Sequence, residues 1–132
     1  MGAGQKNLFF VKLNKTGNLM MAGSYETTKP QTQGMKIKAG SGENFYILAR
    51  SDSCSLMKFD QSGRLLWEIR ENEYFGDIEL VEDQIYIIGH TNSQSGDIAG
   101  TPYQAGSYYY ELFLARCDYK GKVSSITLPN HT

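Results

Sequence analysis

The chain has 132 residues, the length of one ordinary domain, and 13 basic against 14 acidic side chains leave a net charge of −1. Charges so nearly balanced give no electrostatic footprint for nucleic acid or for an anionic membrane surface. Nine Tyr, 14 Gly and only three Pro, with β-branched and aromatic residues in short runs, favour strands, and no long stretch carries a helical period.

The opening residues Met1–Lys6 are polar and lack the apolar core of a signal peptide. No run approaches the roughly 20 apolar residues of a membrane helix. Residues 7–14 and 18–24 then read as two strands joined by a tight turn. Four further strands are expected at 35–39, 44–50, 54–60 and 64–70, and four more at 77–81, 84–91, 111–118 and 122–128. The segments 44–51 and 84–91 are nearly continuous in apolar residues, which predicts strands buried on both faces.

One phrase recurs three times: Phe10-Val11-Lys12-Leu13-Asn14-Lys15-Thr16-Gly17, Leu56-Met57-Lys58-Phe59-Asp60-Gln61-Ser62-Gly63 and Leu114-Ala115-Arg116-Cys117-Asp118-Tyr119-Lys120-Gly121. Asn14, Asp60 and Asp118 suit a turn in which the side chain bonds its own backbone and Gly supplies a positive φ. The bases Lys12, Lys58 and Arg116 fall in register. They form either a basic row for an acidic partner or repeated bridging residues with apolar stems. Two cysteines, Cys54 and Cys117, are too few for a disulfide framework. Cys117 stands in the slot of Leu13 and Phe59 and reads as a small core hydrophobe.

Residues 1–132 therefore form a single all-β domain of repeats: a half unit at 7–24, a full unit at 35–70 and a second at 77–128. A four-stranded antiparallel unit repeated at this spacing is the mark of a propeller blade, here about two and a half blades per chain. The stretch Ile85-Tyr86-Ile87-Ile88-Gly89-His90-Thr91-Asn92-Ser93, a polar loop, and Glu111-Leu112-Phe113-Leu114-Ala115-Arg116-Cys117-Asp118-Tyr119-Lys120-Gly121 resembles the bacterial β-propeller repeat called SBBP. Residues 77–128 carry most of that pattern, 44–67 part of it, and 7–24 its second half. The resemblance implies a β-propeller, extracellular or on the cell surface, without general catalytic activity. Gly63-Arg64-Leu65-Leu66-Trp67 is also similar to the Gly-x-x-x-Trp of quinoprotein propeller repeats. The cofactor residues of that family are not recognisable here, and no cofactor or metal is expected.

In a propeller the loops between second and third strands share a face with those between blades. Here these are 24–34, 51–53, 71–76 and 91–110. The last is an insertion: 35 residues separate Tyr86 from Gly121, against 17 between Tyr46 and Gly63. Its Gly, Ser and Tyr content fits a contact surface rich in aromatic anchors, or a plain spacer. His90, Asn92, Asp97, Tyr103, Tyr108 and Tyr109, with Tyr74 and Phe75 beside them, are the candidate ligand-binding residues. Tyr and Phe would stack, and the polar groups would orient. His90 could also serve as a proton carrier, metal ligand or structural strand-end residue. Paired carboxylates at Asp52 and Asp97, or Glu71 and Glu73, would suit glycoside hydrolysis only at a defined separation.

Two functions are thus expected ahead of a hydrolase. One is a non-catalytic module binding a protein or glycan through the loop face. The other is a building block in which copies complete one another's blades as a homo-oligomer.

Overall fold

The computed structural model describes residues 8–25, 32–105 and 111–128. These hold twelve strands: β1 (Leu8–Leu13), β2 (Leu19–Tyr25), β3 (Gln33–Ala39), β4 (Phe45–Arg50), β5 (Cys54–Phe59), β6 (Leu65–Glu71), β7 (Tyr74–Val81), β8 (Gln84–Thr91), β9 (Ser95–Ile98), β10 (Thr101–Gln104), β11 (Glu111–Asp118) and β12 (Val123–Thr127). A single 3-10 turn, Ser41–Glu43, is the only helical element among the described residues. Sheet I is the β1–β2 pair, sheet II runs β3-β4-β5-β6, and sheet III runs β7-β8-β11-β12, with all pairs antiparallel. The fold is all-β, with two blade-like four-stranded sheets and a half sheet, in the chain order expected from the repeats.

The recurring phrase builds the same corner three times. Oδ1 of Asn14, Asp60 and Asp118 accepts the backbone N–H groups two and four residues on, at 2.9–3.0 Å. Bonds from the Ser62 hydroxyl and the Arg64 amide hold the Asp60 carboxyl below its usual range, and the Lys122 amide leads the same effect at Asp118. Gly17, Gly63 and Gly121 close the turns at φ of 89°, 88° and 88°. The strand pairing slips by one residue at the same place in each copy, after Lys12, Lys58 and Arg116. A second matched irregularity lies between Gly34 and Lys36 in β3 and between Phe75 and Asp77 in β7. The repeats are thus equivalent position by position, including their bulges.

Sheet II lies between the other two. One of its faces presents Ile47, Ala49, Met57 and Phe59 to Leu8 and Phe10 of sheet I, with Met21, Tyr25, Phe45 and Leu65 at the margin. The other presents Tyr46, Leu48, Cys54, Leu56 and Ile69 to Phe75, Ile78, Ile85, Ile87, Phe113, Ala115 and Cys117 of sheet III. Every residue of β5 is buried as a result. The expectation of two-sided burial holds for β4, whose residues Tyr46–Ala49 are all buried. It fails for β8. There Ile85, Ile87, Gly89 and Thr91 are buried while Ile88 is exposed, because the far side of sheet III is uncovered among the described residues.

The described part of the expected loop 91–110, residues 91–105, is not structureless. Ser95–Ile98 and Thr101–Gln104 form a hairpin, β9–β10, turning through Ala99 (φ 50°) and Gly100 (φ 86°). Two successive positive φ values are the I′ arrangement that matches strand twist. The hairpin is part of the core: Ile98, Tyr103 and Ala105 are buried in the cluster that joins sheets II and III. It bridges the outer strands of both sheets. The Ala99 N–H donates to Glu71 Oε1 at the end of β6 (2.8 Å), and the Thr101 hydroxyl donates to the Val123 carbonyl of β12 (2.7 Å).

Sheets II and III are also latched through the turn between β11 and β12. The Tyr119 carbonyl, in the turn between β11 and β12, accepts from the Lys58 ammonium (2.9 Å) and the Trp67 indole N–H (3.0 Å). Lys58 is buried, with its ammonium 5.5 Å from the Tyr46 ring centre and 5.4 Å from that of Tyr119. Burial holds its pKa below the ordinary lysine value, against the pull of Asp83 and Asp118. At this position the recurring base is a bridging residue, as its apolar stem allows. Both cysteines are buried free thiols in the same core, and burial pushes Cys117 up to about 12.

Candidate functional site

The loop face is built by the turn 51–53, the link between β6 and β7, the end of β8 and the hairpin β9–β10. Its candidate residues divide sharply by burial. Tyr74 and His90 face each other across the β7–β8 pair, with ring centres 4.7 Å apart and planes at 18°. The Arg50 guanidinium lies 4.7 Å from the centre of the same Tyr74 ring. The three side chains form a partly exposed stack that ties the end of β4 to the start of sheet III. Among the described residues no group of three or more His, Cys, Asp or Glu side chains is placed to hold a metal ion.

Two of the aromatic candidates are corrected by the structure. Phe75 is wholly buried, edge-on to Phe113 with ring centres 6.2 Å apart, and has no face to offer a ligand. Tyr103 is buried as well. Its hydroxyl donates to Glu73 Oε2 (2.7 Å) and lies 2.8 Å from Thr91 Oγ1. With that proton committed to Glu73, the Thr91 hydroxyl donates to Tyr103 and accepts the Ser93 N–H at 3.0 Å. Burial pushes the Tyr103 phenol up to about 12, and its bond to Glu73 adds to the rise against the opposing Thr91 bond. Tyr103 is the root that pins the insertion to the link between the sheets.

Asn92 and Asp97 are exposed, as a binding role requires. Asp97 lies on strand β9 and accepts the Gly100 N–H through Oδ2 (3.0 Å), which braces the hairpin turn. Tyr108 and Tyr109 lie outside the described residues. Each carboxylate of the Glu71–Glu73 pair is engaged by the hairpin: Glu71 by Ala99 N–H and Glu73 by Tyr103. Burial raises the Glu71 pKa, the Ala99 bond opposes this, and the charges of Glu73 and Asp97 add to it.

A polar hollow of about 340 Å³ on this face is lined by Asp52, Ser53, Arg70, Glu71 and Asn72; all but Arg70 lie in the loops 51–53 and 71–76 that the sequence placed here. Arg70 pairs with Glu68 at 3.0 Å across one residue of β6. Two less polar hollows, of about 460 and 350 Å³, lie beside β1, away from every candidate residue, and share Phe10, Val11 and Ile37 in their walls. The chain matches no protein-family model and no curated protein.

Proposed function

We propose that the chain is a non-catalytic module of the β-propeller kind, similar to the bacterial propeller repeat, and that it works by assembling with further blades. One observation carries this reading: the two outer faces of the array are the repeat counterparts of faces that are buried inside it. Leu48 of sheet II is 0% exposed beneath sheet III, while its counterpart Ile88 is 47% exposed on the outer side of sheet III. Leu112 is exposed beside it, where sheet II has the buried Cys54. At the other end Met57 is 1% exposed beneath sheet I, while its counterpart Val11 is 55% exposed between Phe9 and Leu13. Contiguous apolar surface of this kind marks an interaction site.

The faces are complementary by repetition. Within the chain the Leu48–Leu56 face of sheet II meets the Phe113–Ala115 face of sheet III, and the equivalent Leu8–Phe10 face of sheet I meets the Ala49–Met57 face of sheet II. The outer side of sheet III in one copy is therefore suited to the outer side of sheet I in the next. Such head-to-tail contacts close into rings when the rotation permits. The test is solution mass by light scattering across a concentration series, with Leu112→Glu and Val11→Glu as separate variants. The expected result is a multimer that either variant dissolves while circular dichroism is unchanged. A folded monomer at every concentration would overturn the reading.

A second reading, a loop face that binds a protein or glycan, is favoured by the hollow between Asp52 and Asn72. Its carboxylates, hydroxyl and amide suit the hydroxyl groups of a sugar. An NMR titration with oligosaccharides should shift Ser53 and Asn72. No shift in that loop with any of them would count against a glycan.

A further inference from the structure

We infer that the edge of β1 left open among the described residues is an acceptor for a β-hairpin of a partner polypeptide, laid antiparallel so that sheet I becomes four-stranded like sheets II and III. The inference rests on the blade reading above, and it adds a site and a ligand class. The corresponding strands β5 and β11 each have two neighbours: β4 and β6, or β8 and β12. Strand β1 pairs only with β2, the counterpart of β6 and β12, so among the described residues its inner edge has no strand. An unpaired edge is a template for another chain.

The surroundings of that edge show what is missing. Ile78 of β7 is 1% exposed, in the cluster that sheets II and III share. Its counterpart in sheet II is Ile37 of β3, which is 57% exposed. Each of these residues pairs with an isoleucine of the next strand, Ile47 or Ile87. The difference is the inner half of the preceding sheet. Sheet II has one to cover Ile78, and among the described residues sheet I has none to cover Ile37. The space is present as the two hollows that share Phe10, Val11 and Ile37.

Register gives the sequence chemistry of the hairpin. Lys58 stands opposite Tyr46 and Arg116 opposite Tyr86, so a tyrosine belongs opposite Lys12. Without it, Lys12 reaches across to Glu43 at 3.1 Å. Phe9 is the counterpart of Phe113, which stands opposite Gly89; a Cβ there would collide with the Tyr74 carbonyl of β7 and come within 2.8 Å of the Phe113 ring. A glycine three residues after the tyrosine would therefore face Phe9, with isoleucine-like residues between them. The ligand class is an apolar hairpin whose pairing strand reads Tyr-Ile-x-Gly, as β8 does.

The probe is a synthetic peptide of residues 74–91, added to the intact protein. We expect saturable binding, with the alternate backbone amides of Phe9–Lys12 that point away from β2 exchanging at least about tenfold more slowly. Tyr86→Ala in the peptide should weaken binding by about tenfold or more. Because free hairpins can aggregate, a second protein carries residues 74–91 fused ahead of Lys6 through a Gly/Ser linker. It should show the same protection of β1 and a higher melting temperature. Unprotected β1 amides in both experiments overturn the inference, even if light scattering shows multimers and the assembly reading stands. Protection of β1 in a monomer keeps this inference and removes assembly between copies. Protection that grows with protein concentration, without peptide, identifies a second copy at the edge and overturns a separate hairpin.

Discussion

Alanine at Gly121 and at Gly17 separates the energy of the latch between sheets II and III from the energy of the turn. The two glycines close equivalent turns at φ of 88° and 89°. A Cβ on Gly17 would meet nothing within 4 Å, whereas one on Gly121 would lie 2.8 Å from Trp67 Cδ2 and 3.1 Å from Cε2. Alanine in the left-handed region costs about 1 kcal/mol at either site. At Gly121 the indole must also retreat. That stretches its 3.0 Å bond to the Tyr119 carbonyl, worth about 1 kcal/mol, and adds overpacking of about 1 kcal/mol at a half-exposed ring. Gly121→Ala should therefore exceed Gly17→Ala by about 2 kcal/mol, or about 1 M in urea midpoint for a slope near 2 kcal/mol/M. Trp67 is the only tryptophan, so its fluorescence reports unfolding at the junction itself. Equal midpoints for the two variants would show that the Trp67 contact does not hold the sheets together.

Leu56→Ala, in the shared core, should cost about 3 kcal/mol, while Leu112→Ala on the exposed face of sheet III should stay within about 0.5 kcal/mol when both are read in dilute urea melts. Burial raises the pKa of Cys117 from 9.0 and of Tyr103 from 10.0, each to about 12, so the folded protein keeps protons that the unfolded chain releases. Their contribution is complete below pH 9 and is lost as pH climbs from 9 towards 12. Tyr103→Phe should flatten the alkaline fall in urea midpoint, and an unchanged slope would contradict the buried phenol. Glu71→Gln keeps an acceptor for the Ala99 N–H and removes a charge beside Glu73 and Asp97. Calorimetry at pH 7 should place it at or above the parent in stability and Glu71→Ala below it by about 1 kcal/mol.

The strands and corners were readable because each rests on local chemistry that recurs. Asn14, Asp60 and Asp118 bond their own turns, and a glycine with positive φ follows three residues later in every copy. Apolar content placed β8 in the chain but not its exposure, since a run such as Ile85–Ile88 reads alike with one face covered or two. The hairpin β9–β10 was hidden for a different reason. Gly96 and Pro102 weaken its strands, and Ala99-Gly100 lacks the Asn or Asp that usually marks a I′ turn. It is held by tertiary burial of Ile98 and Tyr103, a contact between residues far apart in sequence from the sheets they touch. The same burial removed Tyr103 and Phe75 from the ligand face. An aromatic near a loop has equal claims on core and solvent until its neighbours are known.

Strand β5, buried along its whole length, sets the terms on which the array could grow. Among the described residues only the unit 33–71 has both mating surfaces occupied, and those surfaces differ: Met57 and Phe59 look back, Cys54 and Leu56 look forward. Duplication of that unit in tandem would place a forward surface against a backward one at each new joint, with no new chemistry to invent. Reversing a unit would match neither. The array therefore has a direction, and lengthening by gene duplication at 33–71 is the change that this architecture accepts with the fewest compensating substitutions.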